Sequence, residues 1–176
     1  PGTGGVLDLT ETKFEQVSDA VVKVSGSRFI PSGKYTVKLE GVKKVGYRTV
    51  TIAGVRDPIF ISKINEIIEG VKARVSDNFR DMKIDYRLDF KIYGLNGVMG
   101  ELEPVKEIRS HELGIVIDAV ADTQETADTV CSFARSTMLH YGYEGRISTA
   151  GNLAFPYSPS DFHAGEVFAF SIYSIL

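Results

Sequence analysis

Arg56 and Asp57 stand side by side immediately before Pro58. That pairing admits two chemistries. Asp57 could act as a catalytic acid while Arg56 holds an anionic substrate through charge-assisted hydrogen bonds. Asp before Pro is also a helix start, because the carboxylate accepts from the first free amides and proline has no N–H to lose at the first helical position. The capping role accounts for Asp57 without a ligand and leaves Arg56 the less explained of the two. Residues 148 to 161, STAGNLAFPYSPSD, gather hydroxyls, the Asn152 amide, Asp161 and two prolines. A stretch this polar belongs on the surface, because its groups cannot all be paired in a core. Ser158, Ser160, Asp161 and His163 form a Ser/Asp/His inventory, but triads are assembled by the fold and no GxSxG elbow is present. Ser-Pro-Ser-Asp reads first as turn chemistry. A helix N-terminus facing this loop suits an anion, with Arg56 as charged donor and Asn152 and Ser158 as neutral ones. Asp57 opposes that, since an ionised cap occupies the same amides. The candidate ligand-binding set is Arg56, Asp57, Asn152, Ser158 and Asp161; no catalytic residue is assigned.

Other reactive side chains read as structural. Cys131 falls on the apolar side of a helical pattern, where a small buried hydrophobe is expected. His111, His140 and His163 show no ligand spacing, so neither a metal nor a cofactor is expected. Asp85 and Asp89 alternate with Arg87 and Lys91, the usual dress of a solvated sheet face. GTGG at 2–5 lacks the context of a phosphate loop and reads as a flexible end.

The elements that must position these residues follow from periodicity. Residues 7–25 alternate around Ser18-Asp19 and predict a β-hairpin, with a loop over 26–34. YTVKLEG and GYRTVTIAG predict two further strands joined by VKKV. Phe60, Ile61, Ile64, Ile67, Ile68, Val71 and Val75 recur at helical spacing and predict a helix over about 58–76. Ile84, Tyr86, Leu88, Phe90 and Ile92 alternate strictly with charged residues, which requires a strand with one buried face. Residues 94–107 read as an irregular excursion and LGIVIDAVA as a central strand. Asp122 with Glu125 resembles a capping box opening a second helix that runs to Gly142. A last strand, GEVFAFSIYSI, follows the polar loop.

The order β-α-β, connection, β-α-β predicts an α+β, ferredoxin-like split βαβ sandwich. Its sheet is mainly antiparallel, and an extra N-terminal β-hairpin is attached. The expected division is 1–34 as tail and hairpin and 35–176 as one α+β unit. The chain has 176 residues, 43% hydrophobic and 24% charged, with a net charge of −3. These values describe a globular protein and argue against nucleic-acid binding, which concentrates Lys and Arg. No apolar run could span a bilayer, and a single cysteine excludes an internal disulfide, so a cytoplasmic setting is expected. The N-terminus has neither an initiator Met nor a signal-peptide pattern.

Two stretches carry a family resemblance. VKVSGSRFIPSGKYTVKLEGVKKVGYRTVTIAGVRDPIFISKI, with its SG, GY, AG and RDP elements, resembles the middle-to-C-terminal part of the acyclic terpene utilisation family. GNLAFPYSPSDFHAGEVFAFSIYSIL is similar to that family's final strand region. The resemblance covers roughly residues 6 to 176. It implies a C-terminal domain of a longer cytoplasmic protein of terpenoid or branched acyl-CoA catabolism, inactive alone, with Arg56, Asn152 and the 148–163 loop contributing to a site that the rest of the full-length protein completes. The alternative is a non-catalytic ligand-binding or oligomerisation module. The implied partners are the remainder of the full-length protein and an acyl or acyl-CoA ligand; a second copy of the chain is expected because open sheet edges invite pairing, and neither nucleic acid nor membrane is expected.

Overall fold

The computed structural model describes residues 2, 4–34 and 36–175. Thr3 of the GTGG stretch, Tyr35 at the start of YTVKLEG and Leu176 lie outside the described residues. The protein is α+β with antiparallel sheets and few helices, and it divides into two compact units. One holds residues 1–43 and 169–176, the other residues 44–168. Among the described residues, no helix is long and apolar enough to cross a membrane.

The smaller unit contains two antiparallel pairs. β1 (Gly5–Asp8) pairs with β4 (Arg28–Pro31), and β2 (Lys13–Ser18) with β3 (Val21–Ser25). The predicted hairpin is therefore β2–β3, turning at Asp19-Ala20, while residues 28–31, expected as loop, form a strand against β1. Gly5, expected in a loose end, pairs with Pro31. In β2–β3, Phe14 opposes Val24 and Glu15 opposes Lys23, so one face is apolar and the other charged.

The larger unit carries the core. β5 (Lys38–Val55) contributes its stretch from Lys44 on, followed by α1 (Pro58–Ser62), α2 (Ile64–Phe79), β6 (Tyr86–Tyr93), β7 (Leu113–Ala121) and α3 (Gln124–Leu139). β8 (Asp161–Ile175) contributes its first half. The strand order is β6-β7-β5-β8, with β7 antiparallel to both β5 and β6. VKKV is not a junction but part of β5, and Gly46 lets it pass: its φ is 145°, and a Cβ there would sit 2.5 Å from Ala121 O.

The predicted first helix is two helices, interrupted at Lys63 with φ −107°. Its Asp57 cap is as expected: Oδ1 accepts from Ile59 N at 2.8 Å and Phe60 N at 3.3 Å. α3 is capped by Thr123, which accepts from Thr126 N, one residue later than the expected Asp122. Ile67, Val71 and Val75 of α2 and Val130, Cys131 and Ala134 of α3 are buried with Ala53, Val55, Ile115 and Ile117 of the sheet. Ile84, Tyr86, Leu88 and Phe90 pack against that cluster, and Phe79 joins the layers, meeting Tyr86 and Phe133 edge-on at 5.9 and 5.5 Å. Burial of this apolar surface is the main favourable term in the unit's stability.

The opposite sheet face holds a buried charge. Asp118, 4% exposed, accepts from Arg48 Nε at 2.9 Å and Lys91 Nζ at 2.8 Å. Arg87 pairs with Asp89 at 3.0 Å on the same strand, as expected of a solvated face.

Candidate functional site

β5 ends at Val55 and hands directly to Arg56 and the Asp57 cap, so the strand end and the start of α1 are one fixed corner. The 148–156 loop is bonded to that corner through its backbone. Gly54 and Ala154 exchange both hydrogen bonds at 2.8 Å, and the amides of Arg56 and Asp57 donate to Gly151 O at 2.9 and 3.0 Å.

Side chains complete the attachment. Asn152, 2% exposed, donates from Nδ2 to Asp57 Oδ2 at 2.5 Å and to Tyr143 Oη at 2.8 Å, while its Oδ1 accepts from Thr149 N at 2.7 Å. Tyr143 Oη donates to Asp57 Oδ2 at 2.9 Å. Burial alone would raise the Asp57 carboxyl. The hydrogen bonds from Tyr143, from the Ile59 and Phe60 amides and from Asn152 outweigh it and hold the group below the usual carboxylate range. Tyr143 is pushed up to about 12 by burial and by its bond to the Asp57 carboxylate. Both shifts move away from neutrality, so the pair suits holding a structure together better than transferring protons.

The sequence-derived candidates separate into groups. Asp57 and Asn152 are brought into direct contact. Arg56 lies beside them with its side chain exposed, its Nη1 3.4 Å from Glu112 Oε2. Ser158 is exposed and makes no side-chain bond to the others among the described residues. Asp161 is held elsewhere, at the start of β8, by a bidentate pair with Arg135 at 2.8 and 3.1 Å and by the Thr51 hydroxyl. It reaches the loop only indirectly, because the Arg135 guanidinium lies 5.7 Å from the Phe155 ring. His163 Nε2 lies 3.0 Å from Asp128 Oδ2. Cys131 is buried, and burial, with the nearby Asp161 charge, pushes its thiol up to about 11. Among the described residues, no group of three or more His, Cys, Asp or Glu side chains could hold a metal ion.

A cavity of about 640 Å³ opens at this corner, with Ile52, Gly54, Arg56, Glu112, Gly114 and Phe155 in its lining. A second hollow of about 420 Å³ shares Arg56 and Gly151 with it and reaches Asp57, Ile59 and Ile147. Both fall in the size range of small-molecule sites, and the lining is mostly apolar. The model of the family described as acyclic terpene utilisation family protein AtuA matches residues 3–158. The chain belongs to the AtuA family. The match includes Arg56, Asp57 and the loop as far as Ser158, and the FAFSIYSIL ending of this AtuA-family chain lies beyond it. No curated protein and no solved structure matches the chain.

Sequence reasoning missed Tyr143, Glu112 and the glycines of the cavity. Tyr143 sits in the short YGYEG stretch after α3, and nothing local connects it with Asp57. Glu112 and Gly114 become site residues only through the β5–β7 register, which places Gly114 opposite Gly54.

Proposed function

We propose that this chain acts in terpenoid or branched acyl-CoA catabolism as the C-terminal domain of a larger cytoplasmic protein, inactive in isolation, and that it supplies part of an acyl or acyl-CoA binding site. The AtuA-family match carries this reading. The apolar cavity beside Arg56 supports the ligand class, because a hydrocarbon chain needs apolar walls and an anionic group needs a donor such as Arg56. Asp57 and Asn152 serve the site by fixing its wall, Asp161 by positioning Arg135 and Phe155, and Ser158 by standing exposed on the loop. The strand order β6-β7-β5-β8 with two long helices supports the finer topology, a ferredoxin-like split βαβ unit.

Titration of the full-length protein and of this chain with acyl-CoA compounds tests the reading. Binding by both, weakened in Arg56→Ala, and turnover only by the full-length protein are expected. Turnover by this chain alone, or affinity unchanged in Arg56→Ala, contradicts it.

A non-catalytic assembly module is the second reading, favoured by the β2–β3 hairpin, where Phe14, Val17 and Val24 are 74%, 59% and 55% exposed. Apolar faces of this kind mark interaction surfaces, and sheet edges invite pairing. This reading expects a homo-oligomer, and light scattering that reports a strict monomer at high concentration counts against it.

A further inference from the structure

The cavity at the end of β5 has a floor without side chains. Gly54 and Gly114 face each other across the β5–β7 ladder, on the sheet face opposite that of the buried neighbours Ala53 and Ile115. Glycine is disfavoured inside strands, where it loses more backbone freedom on folding and packs nothing. Neither residue has positive φ, so backbone conformation does not demand it. Packing does not demand it either: an added Cβ would lie 4.0 Å from Ala154 O at Gly54 and 3.6 Å from Tyr93 Cβ at Gly114, both ordinary contacts. What the two glycines leave open is the cavity that both line.

The rim carries one cation and one anion. Arg56 and Glu112 meet at 3.4 Å with side chains 65% and 64% exposed, so their pair is weakly held and exchangeable. The walls between rim and floor are Ile52, Phe155 and Pro156. They offer little to a sugar or nucleobase, whose polar groups would go unpaired, and suit a hydrocarbon.

We propose that the cavity binds an amphipathic ligand, with an extended hydrocarbon chain lying on the Gly54–Gly114 floor and an anionic head taking Arg56 away from Glu112. This rests on the acyl-ligand reading above and goes further, assigning chain-size selection to two glycines and competition for the head group to Glu112. The head is a carboxylate of a free acid or a phosphate of a CoA thioester, which share the same need for Arg56.

Opposite effects from the two halves of one ion pair set this apart from a structural role. Loss of Arg56 removes the head's donor, whereas loss of Glu112 removes its competitor. A side chain on the floor excludes long or branched chains and spares short ones. Valine suits a strand, so Gly54→Val and Gly114→Val retain the fold, with Gly114→Ala as the milder variant.

The test is calorimetric titration of the whole chain with straight and methyl-branched carboxylic acids of increasing length, the matching uncharged alcohols, and the CoA thioesters. Arg56→Gln weakens the anionic ligands by about threefold to fivefold and leaves the alcohols unchanged, and Glu112→Gln tightens the anionic ligands by a similar factor. Gly114→Val weakens the longest chains by about tenfold and the shortest little. Binding of acids without thioesters assigns the head to a carboxylate, and the reverse assigns it to phosphate. Glycine variants with wild-type melting that bind long chains as tightly as the wild type overturn the proposal, as do Arg56→Gln and Glu112→Gln effects of the same sign. Failure of the wild type to bind any acid, alcohol or thioester overturns the acyl-ligand reading along with it.

Discussion

Asn152 donates its side-chain amide to the Asp57 carboxylate and thereby fastens the 148–156 loop to the first turn of α1. Asn152 is buried and fully partnered: its Oδ1 is taken by Thr149 N, and the second contact of Nδ2 is Tyr143 Oη. The wall of the cavity is thus set by a residue that does not line it.

Removal of either partner should loosen the loop. Asn152→Ala leaves Thr149 N without its acceptor and is expected to cost about 1–3 kcal/mol. Asp57→Ala loses the helix cap, about 0.5–2 kcal/mol, as well as the two side-chain donors' acceptor. Urea denaturation of both single variants and the double variant should give a coupling of about 0.5–3 kcal/mol. Strict additivity contradicts the arrangement.

The same cluster sets a pH dependence at both ends of the scale. The Asp57 carboxyl lies lower in the folded than in the unfolded protein, so its contribution is complete above the unfolded value of about 3.9 and is lost as pH falls through the folded one. Tyr143 lies higher in the folded state, at about 12. Its contribution is therefore complete below the unfolded value of about 10 and is lost as pH rises toward the folded one. Denaturation midpoints against pH should show a shallower acid limb in Asp57→Ala and a shallower alkaline limb in Tyr143→Phe. Parallel profiles for wild type and variants would exclude both contributions.

Cys131 should be inert in the native protein. The thiolate is the reactive form, and a thiol raised to about 11 and buried beneath α3 supplies almost none of it at neutral pH. Alkylation followed by mass spectrometry should proceed at the rate of unfolding and accelerate in denaturant. Complete labelling under native conditions contradicts the burial.

Asp118 depends on two cations for its place under the sheet surface. Arg48→Met and Lys91→Met should each cost little, because the remaining cation still meets the carboxylate. The double variant strands a buried charge and should cost about 3–5 kcal/mol, more than the two single effects together. Thermal melts of the three variants decide this, and equal additivity counts against it.

Local chemistry was legible in the sequence and pairing between distant segments was not. The Asp57 cap follows from Asp-Pro alone, and the buried face of β6 follows from strict alternation at 84–92. The burial of Cys131 follows from helical spacing. Residues 28–31 read as loop because Gly26, Pro31 and Ser32 crowd them, and they are a strand only because β1 supplies a partner. Two predicted strands merged into β5 because Gly46 continues the strand where a side chain would meet the Ala121 carbonyl. Asp122 and Thr123 are both competent caps, and the choice depends on a one-residue phase that spacing does not resolve. Arg56, Asp57 and Asn152 stand out by residue type, but the β5–β7 register that brings Glu112 and Gly114 to them, and the packing of the stretch after α3 that brings Tyr143, are properties of the folded chain.

Backbone amide NMR during addition of an acyclic terpenoid carboxylic acid reads ligand binding at this corner residue by residue. Saturable shifts are expected to concentrate at Gly54, Arg56, Gly114 and Gly151, around the cavity they line. Absence of shifts at saturating ligand, or shifts confined to β2 and β3 with the Gly54–Gly114 corner unchanged, would contradict it.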